Sequence, residues 1–464
     1  MRFDSVTHLY FVGIGGIGMS ALARFFNTAG RVVAGYDKTS TVLTRQLEAE
    51  GIRVVYDDAP DAFDFSGFPV QSTLVVYTPA VPNNHFQLNW LKDNGYQVLK
   101  RAQVLGVVSE GLSSICVAGT HGKTTVSTLT AHLLKQSSVD CHAFIGGISK
   151  NYMTNYLSSP DSHWVVLEAD EFDRSFLNLS PQMAVVTSAD ADHLDIYGES
   201  KYVTEAFELF LGKVKPNGVM VVKKGLSLRV AALPEQRSFT YALSDQGADF
   251  YAADIVLKDG FYSFSLVTPN GTVPSLELGV PGLLNVENAV AASSMALTAG
   301  ITPDELRKGL ASFTGIKRRF DYWIKHERFC LIDDYAHHPE EINATAKSVR
   351  AIYPGKKIVA AFQPHLYSRT NDFHQEFAMA LSQFDQVFLL DIYPARELPI
   401  PGVDSHLIAK NIKCPVQVVA KQDLAAAIAA SGPDVVLTMG AGDIDQLLPQ
   451  LKQVFDMEIL RGNG

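Results

Sequence analysis

The chain has 464 residues, about three times an average domain, and is 47% apolar and 19% charged, so it can bury large cores without staples. Its 39 basic and 49 acidic residues leave a formal charge of −10, which excludes a protein whose main task is to coat nucleic acid, because that needs a basic face. The four cysteines form no C-x-x-C pair and no apolar run is long enough to span a bilayer, so structural zinc, a disulfide framework and a membrane partner are not expected.

The N-terminus leads straight into a strand-like run with no signal-peptide pattern, and the cytoplasm is the expected compartment. Short apolar runs alternate with amphipathic helical patterns from end to end, the signature of α/β domains with parallel sheets. Three are expected in series: a Rossmann-like domain over 1–109, a P-loop ATPase-like domain with a mainly parallel sheet over 110–314, and a second Rossmann-like domain over 315–464. The first opens with a strand at 9–12, a glycine loop and a helix over 19–28, followed by strands at 32–36 and 74–77. The central one opens with a strand at 115–118, a second glycine loop and a helix from about 126, with further strands at 164–167 and 183–186. Turn signals at Lys258-Asp259-Gly260 and Pro269-Asn270-Gly271 predict β-hairpins over 239–277, and a helix over 286–299 closes the region. The third has strands at 329–332, 358–361, 387–390 and 435–437, and a last glycine turn at Gly440-Ala441-Gly442.

The first loop, Gly13-Ile14-Gly15-Gly16-Ile17-Gly18, fits G-x-G-x-x-G between strand and helix, with Asp37 ending the next strand. Such a loop brings backbone N–H groups at a helix N-terminus up to a diphosphate with no Cβ in the way. It reads a diphosphate and not a nicotinamide. A dinucleotide and a UDP-linked sugar both satisfy it.

The second loop, Gly119-Thr120-His121-Gly122-Lys123-Thr124-Thr125, ends as a P-loop does, with only two residues between its glycines. Backbone N–H groups would cradle the phosphates of ATP, Lys123 would reach the β- and γ-phosphates, and the Thr124 hydroxyl would face Mg²⁺. A P-loop also needs an acidic metal ligand at a neighbouring strand end. Glu168-Ala169-Asp170-Glu171 supplies Glu168, and Asp190-Ala191-Asp192-His193-Leu194-Asp195 supplies His193 for a second site.

With these motifs in hand, the whole chain resembles the Mur ligase family of peptidoglycan synthesis. Further matching motifs are Asn285-Val286-Glu287-Asn288-Ala289, Lys317-Arg318-Arg319-Phe320, Asp333-Asp334-Tyr335-Ala336-His337-His338-Pro339 and Gln363-Pro364-His365-Leu366-Tyr367-Ser368-Arg369-Thr370. The resemblance implies ATP-dependent ligation of L-alanine to the lactyl carboxylate of UDP-N-acetylmuramate through an acyl phosphate. It would place the UDP-sugar at Gly13, Gly15, Gly16, Gly18, Met19, Asp37 and Thr78. ATP would bind the 119–125 loop with Asn285, Asn288, Arg318 and Asp334, and the metal would sit on Thr124, Glu168 and His193. Lys123, Glu168, His193 and Arg318 would carry the chemistry, and Tyr335, His337, His365 and Arg369 would hold the amino acid. Two departures from the family pattern are Leu366, where a basic residue is common, and Tyr77-Thr78-Pro79-Ala80, where a serine-rich loop is usual. The rivals are a sister ligase that recycles intact tripeptide and an NAD-dependent oxidoreductase, which would leave the second loop without work.

Overall fold

The computed structural model of the chain describes residues 3, 5–190, 197, 199–229, 233–395 and 397–461. Strands β1 (His8–Val12), β2 (Val32–Tyr36), β3 (Arg53–Val55), β4 (Thr73–Tyr77) and β5 (Gln97–Lys100) form an all-parallel sheet in the order β3-β2-β1-β4-β5. Both faces of its centre are covered, which is why residues 9–12 and 74–76 read as unbroken apolar runs. The strand order reverses at β1 and β4, so the chain leaving β1 at Gly13 emerges at the crevice where open α/β sheets bind ligands.

The central sheet contains β6 (Ser113–Ala118), β7 (His142–Ser149), β8 (Thr154–Leu157), β9 (Trp164–Glu168), β10 (Met183–Val186), β11 (Val219–Lys223), β12 (Arg237–Ala242), β13 (Phe250–Lys258), β14 (Phe261–Thr268) and β15 (Gly271–Glu277). Their order is β15-β14-β13-β12-β11-β10-β6-β9-β7-β8. β6 lies between β10 and β9, all parallel, so the second glycine loop leaves the middle of the sheet beside the ends of both neighbours. The run of hairpins expected from residue 239 is corrected at its start. β12 pairs in parallel with β11 and, through Tyr241 and Ala242, with β13. The connection over 243–249 replaces the tight turn a hairpin needs there. β14 and β15 are antiparallel.

The third sheet contains β16 (Asp321–Lys325), β17 (Cys330–Asp334), β18 (Ile358–Phe362), β19 (Gln386–Leu389), β20 (Val416–Val418) and β21 (Val435–Met439), in the order β16-β17-β21-β18-β19-β20. It is parallel apart from the edge strand β16. Asp334 and Phe362 both lie in register with Met439, so the segments that follow β17, β18 and β21 leave one edge side by side.

Two units are distinguished. One comprises Met1–Val256, Ser263–Gly279 and Val286–Thr314, and the other Leu257–Tyr262, Val280–Asn285 and Gly315–Gly464. In the first unit the N-terminal and central sheets share an apolar core that includes Phe11 and Phe26 as well as Phe144 and Phe176. The buried Asn155 of β8 stitches them together. Its amide donates to the Ile17 carbonyl (2.5 Å) and to Ser20 Oγ (2.8 Å), at the start of the helix Ile17–Thr28. Among the described residues no helix is long and apolar enough to cross a membrane. The cysteines are free, with Cys116, Cys141 and Cys330 buried and Cys414 half-buried.

Candidate functional site

The second glycine loop joins β6 to the helix Lys123–Lys135, three residues earlier than its sequence pattern suggests. Gly119 (φ +140°) and Gly122 (φ +81°) adopt backbone conformations that L side chains rarely enter. A Cβ on Gly119 would collide with Thr187 Oγ1, and one on Gly122 would lie 2.9 Å from Asn288 Oδ1. The chain after β10 pins the loop. His121 N donates to Ser188 Oγ (2.7 Å), Thr187 Oγ1 donates to the His121 carbonyl (2.5 Å), and Thr120 Oγ1 donates to the Asp190 carbonyl (3.1 Å).

Lys123 folds over this loop. Its Nζ donates to the carbonyls of Gly119 (2.6 Å) and Thr120 (3.2 Å) and to Glu171 Oε1 (2.9 Å). Burial works against its charge, but the carboxylates of Glu171, Asp170 and Glu168 outweigh it and hold the Lys123 pKa above the ordinary lysine value. Glu168, the last residue of β9, lies against Gly146 of β7, where any Cβ would strike its carboxylate, and its Oε2 is 3.5 Å from Ser127 Oγ. Thr124 is in the first turn of the same helix as Ser127 and is 8% exposed. A threonine hydroxyl and a carboxylate are hard oxygen donors of the kind Mg²⁺ takes alongside phosphate and water, so these residues fit that ion. Among the described residues no three His, Cys, Asp or Glu side chains form a metal-holding group by themselves. His193, expected at a second metal site, lies outside the described residues. Asn288 is buried beside Gly122, and Asn285 lies on the same helix, Leu283–Ala299.

At the first loop, Gly13 (φ +87°) turns the chain out of β1, and Thr78, which follows β4, stands beside it: a Cβ on Gly13 would lie 3.0 Å from Thr78 Cγ2. Gly16 caps the helix Ile17–Thr28 without a side-chain bond, and the first turn holds no acidic residue. Gly15 N donates to Asp37 Oδ2 (2.7 Å), so the Asp37 carboxylate sits on the loop itself. Gly18 abuts the guanidinium of Arg101, a residue that belongs to none of the sequence motifs. Met19 is packed in the core.

In the second unit, Tyr335, His337, His365 and Arg369 gather at the carboxyl edge of the third sheet. The Tyr335 and His337 rings are 5.3 Å apart, those of His337 and His365 6.2 Å, and Arg369 Nη1 is 3.5 Å from His365 Nδ1. Tyr393 completes the group by stacking on His365 at 5.8 Å, brought there by a bridge between residues 28 apart in sequence that no local pattern announces. Burial drives the His337 pKa down to about 4 against the pull of Glu341, so the ring is neutral at pH 7. His337 Nδ1 faces the Tyr335 carbonyl (3.0 Å) and Glu341 Oε2 (3.3 Å), so this nitrogen carries the proton and Nε2 presents a lone pair.

Arg318, at φ +63°, donates to the carbonyls of Gly440 (2.6 Å) and Gly442 (3.1 Å), and its Nε is 3.4 Å from Asp333 Oδ2. Arg318 and Arg319 both stand over the Tyr335 ring, at 5.0 and 5.1 Å. Asp334 accepts from Ala336 N (3.0 Å) and Thr345 Oγ1 (3.2 Å), and burial pushes its pKa up to about 6 despite Arg319. Asp333, fully buried, is pushed up to about 7 by burial, with Arg318 and the Thr438 hydroxyl offsetting part of the shift.

Three family models match the chain in succession: the catalytic domain of the Mur ligase family over residues 8–111, the Mur ligase middle domain over 117–296, and the glutamate ligase domain of Mur ligases over 318–442. A UDP-N-acetylmuramate–L-alanine ligase of Porphyromonas gingivalis is 52% identical over 96% of this chain and 98% of its own length. The chain belongs to the Mur ligase family. A second relative of this Mur ligase, the UDP-N-acetylmuramate–L-alanine ligase of Parabacteroides distasonis, is 48% identical over 99% of each chain. The crystal structure of the UDP-N-acetylmuramate–alanine ligase of Thermotoga maritima has the same α/β architecture. It superposes with a TM-score of 0.81 at 26% identity, over 97% of this Mur ligase and 99% of that chain.

Proposed function

We propose that this Mur ligase joins L-alanine to the lactyl carboxylate of UDP-N-acetylmuramate at the expense of ATP, with Mg²⁺, in the cytoplasm, as a step of peptidoglycan precursor synthesis. The observation that carries the reading is the 52% identity, across nearly the whole chain, to a ligase of that name. The division into domains at residues 109 and 314 belongs to the same reading.

A carboxylate does not condense with an amine at neutral pH, because it is a poor electrophile. Its oxygen would attack the γ-phosphorus of ATP, the bond to the bridging oxygen would break, and ADP would leave an acyl phosphate. The amine of L-alanine would then add to the acyl carbon and expel phosphate. Lys123 would lie against the phosphoryl oxygens from the 119–125 loop, with Arg318 assisting, since stabilising that charge is the main catalytic task. Thr124 and Glu168 would hold Mg²⁺, which supplies Lewis acidity when bound. Arg369 can fix the α-carboxylate of alanine bidentately, and the Nε2 lone pair of the neutral His337 can accept a hydrogen bond from the amine and so orient it. Tyr335 and Tyr393 would keep the side-chain pocket small.

The test is phosphate release from ATP by the purified chain. Release that needs both UDP-N-acetylmuramate and L-alanine supports the proposal. Release without the sugar nucleotide, or none with all three substrates present, overturns it.

A further inference from the structure

Within the first unit a cleft of about 400 Å³ is lined by Tyr77, Lys100, Arg101, Gln103, Asp173 and Ser175, among others. A smaller hollow shares Arg101 and Ser175 with it and reaches Glu168 and Asp170. Arg101 is the first residue of the helix Arg101–Gly111, directly after β5, and stands where the cleft, the first glycine loop and the end of β9 meet. On one side its guanidinium touches Gly18 so closely that any Cβ there would collide with Nη1. On the other, its Nη2 is 3.7 Å from Asp170 Oδ2, beyond hydrogen-bond length. The side chain is only 22% exposed, and among the described residues Asp170 is its one acidic partner within 4 Å. A largely buried fork of five N–H donors is thus held by a single loose carboxylate.

The charge balance of the first loop says what the fork is for. The helix Ile17–Thr28 offers backbone N–H groups and a partial positive end, but its first turn carries no basic side chain and Asp37 adds a full negative charge at Gly15. A diphosphate placed there brings about two more negative charges, so a cation has to come from elsewhere in the fold. We propose that Arg101 is a binding residue for the diphosphate of the sugar nucleotide, exchanging Asp170 for the phosphate oxygens when the substrate enters, with Lys100 beside it as a weaker second cation. Lys100 is held by a hydrogen bond that its Nζ donates to Asp173 Oδ2 at 3.3 Å, with both side chains exposed. The assignment rests on the proposed function, because it takes the first loop to be the sugar-nucleotide site.

Calorimetric titration of the full chain with UDP, UDP-N-acetylmuramate and ATP tests it, using Arg101→Gln, Arg101→Lys and Gly18→Ala. Arg101→Gln should weaken UDP and UDP-N-acetylmuramate about 30-fold or more, with ATP affinity kept within about twofold, as expected for loss of one bidentate phosphate contact. Arg101→Lys, which keeps the charge and loses the fork, should fall between Arg101→Gln and the parent. Gly18→Ala, whose methyl displaces the guanidinium without deleting it, should also weaken UDP. In turnover, Arg101→Gln should raise KM for the sugar nucleotide and leave KM for ATP and L-alanine nearly unchanged. A folded Arg101→Gln chain that binds UDP as tightly as the parent overturns the assignment. So does one that loses ATP and UDP affinity together with thermal stability, since Arg101 is then only a strut between the sheets. A parent chain that binds no uridine diphosphate at all removes the functional reading itself, and this assignment with it.

Discussion

Lys123 Nζ lies 2.9 Å from Oε1 and 2.8 Å from Oε2 of Glu171, and water reaches only 2% of the Glu171 side chain. A flexible point charge is thereby fixed above the 119–125 loop, where a phosphate would meet it. Lys123→Met should lower turnover about a thousandfold or more through lost transition-state stabilisation. It should also destabilise the fold by about 3–5 kcal/mol, because Glu171 loses its buried partner. Adding Glu171→Gln should restore most of the stability and none of the activity. Thermal unfolding and phosphate release, measured on both variants, separate the two effects.

The first loop should select uridine compounds over nicotinamide dinucleotides. Both carry a diphosphate, but a complete second phosphate loop in the same unit leaves no work for a redox cofactor. Titration with NAD(H), UDP and UDP-N-acetylmuramate should give binding with the last two alone. Tight NAD(H) binding without a uridine response would refute the expectation.

Asp333 makes stability depend on pH. Its folded pKa, about 7, lies above the ordinary aspartate value, because burial outweighs the help of Arg318. The folded state therefore binds a proton that the unfolded state releases near pH 4. The stability this confers is complete below about pH 4 and is lost as pH rises through about 7. Asp333→Asn keeps the bond from Thr438 and cannot ionise. Its stability relative to the parent should rise between pH 4.5 and pH 8 by on the order of 1–4 kcal/mol. Tm measured at the two pH values checks this, and an equal difference at both would contradict it.

Arg369→Ala should raise KM for L-alanine at least about tenfold, the worth of a charged hydrogen-bonded contact, while ATP affinity stays within about twofold. Glycine and serine should remain substrates of the parent at modest discounts, since a methyl or hydroxyl is worth only about 1–3 kcal/mol. Initial rates over a range of each amino acid measure both effects.

The alternation of strand and helix patterns made the three sheets legible, because burial on both faces writes long apolar runs such as residues 9–12 and 358–362. The glycine loops were legible because their chemistry is local: Gly119 and Gly122 need backbone angles that other residues avoid. What the sequence hid comes from pairing across long separations. Gly146 meets Glu168 only because β7 pairs with β9, and Tyr393 reaches His365 only through an isolated bridge. Arg101 sits with Lys100 at a strand end as an ordinary basic pair, and nothing nearby in sequence marks Gly18 and Asp170 as its neighbours. Glu171 stood in view within Glu168-Ala169-Asp170-Glu171, but which of the three acids faces Lys123 depends on how the chain turns after β9.

The amine substrate is the sharpest point of the account. Mass spectrometry of the product formed from UDP-N-acetylmuramate, ATP and an equimolar mixture of L-alanine and L-alanyl-γ-D-glutamyl-diaminopimelate decides it in one measurement. UDP-N-acetylmuramoyl-L-alanine is the expected product, with one ADP formed per ligation. A product carrying the intact tripeptide, with L-alanine untouched, would contradict it.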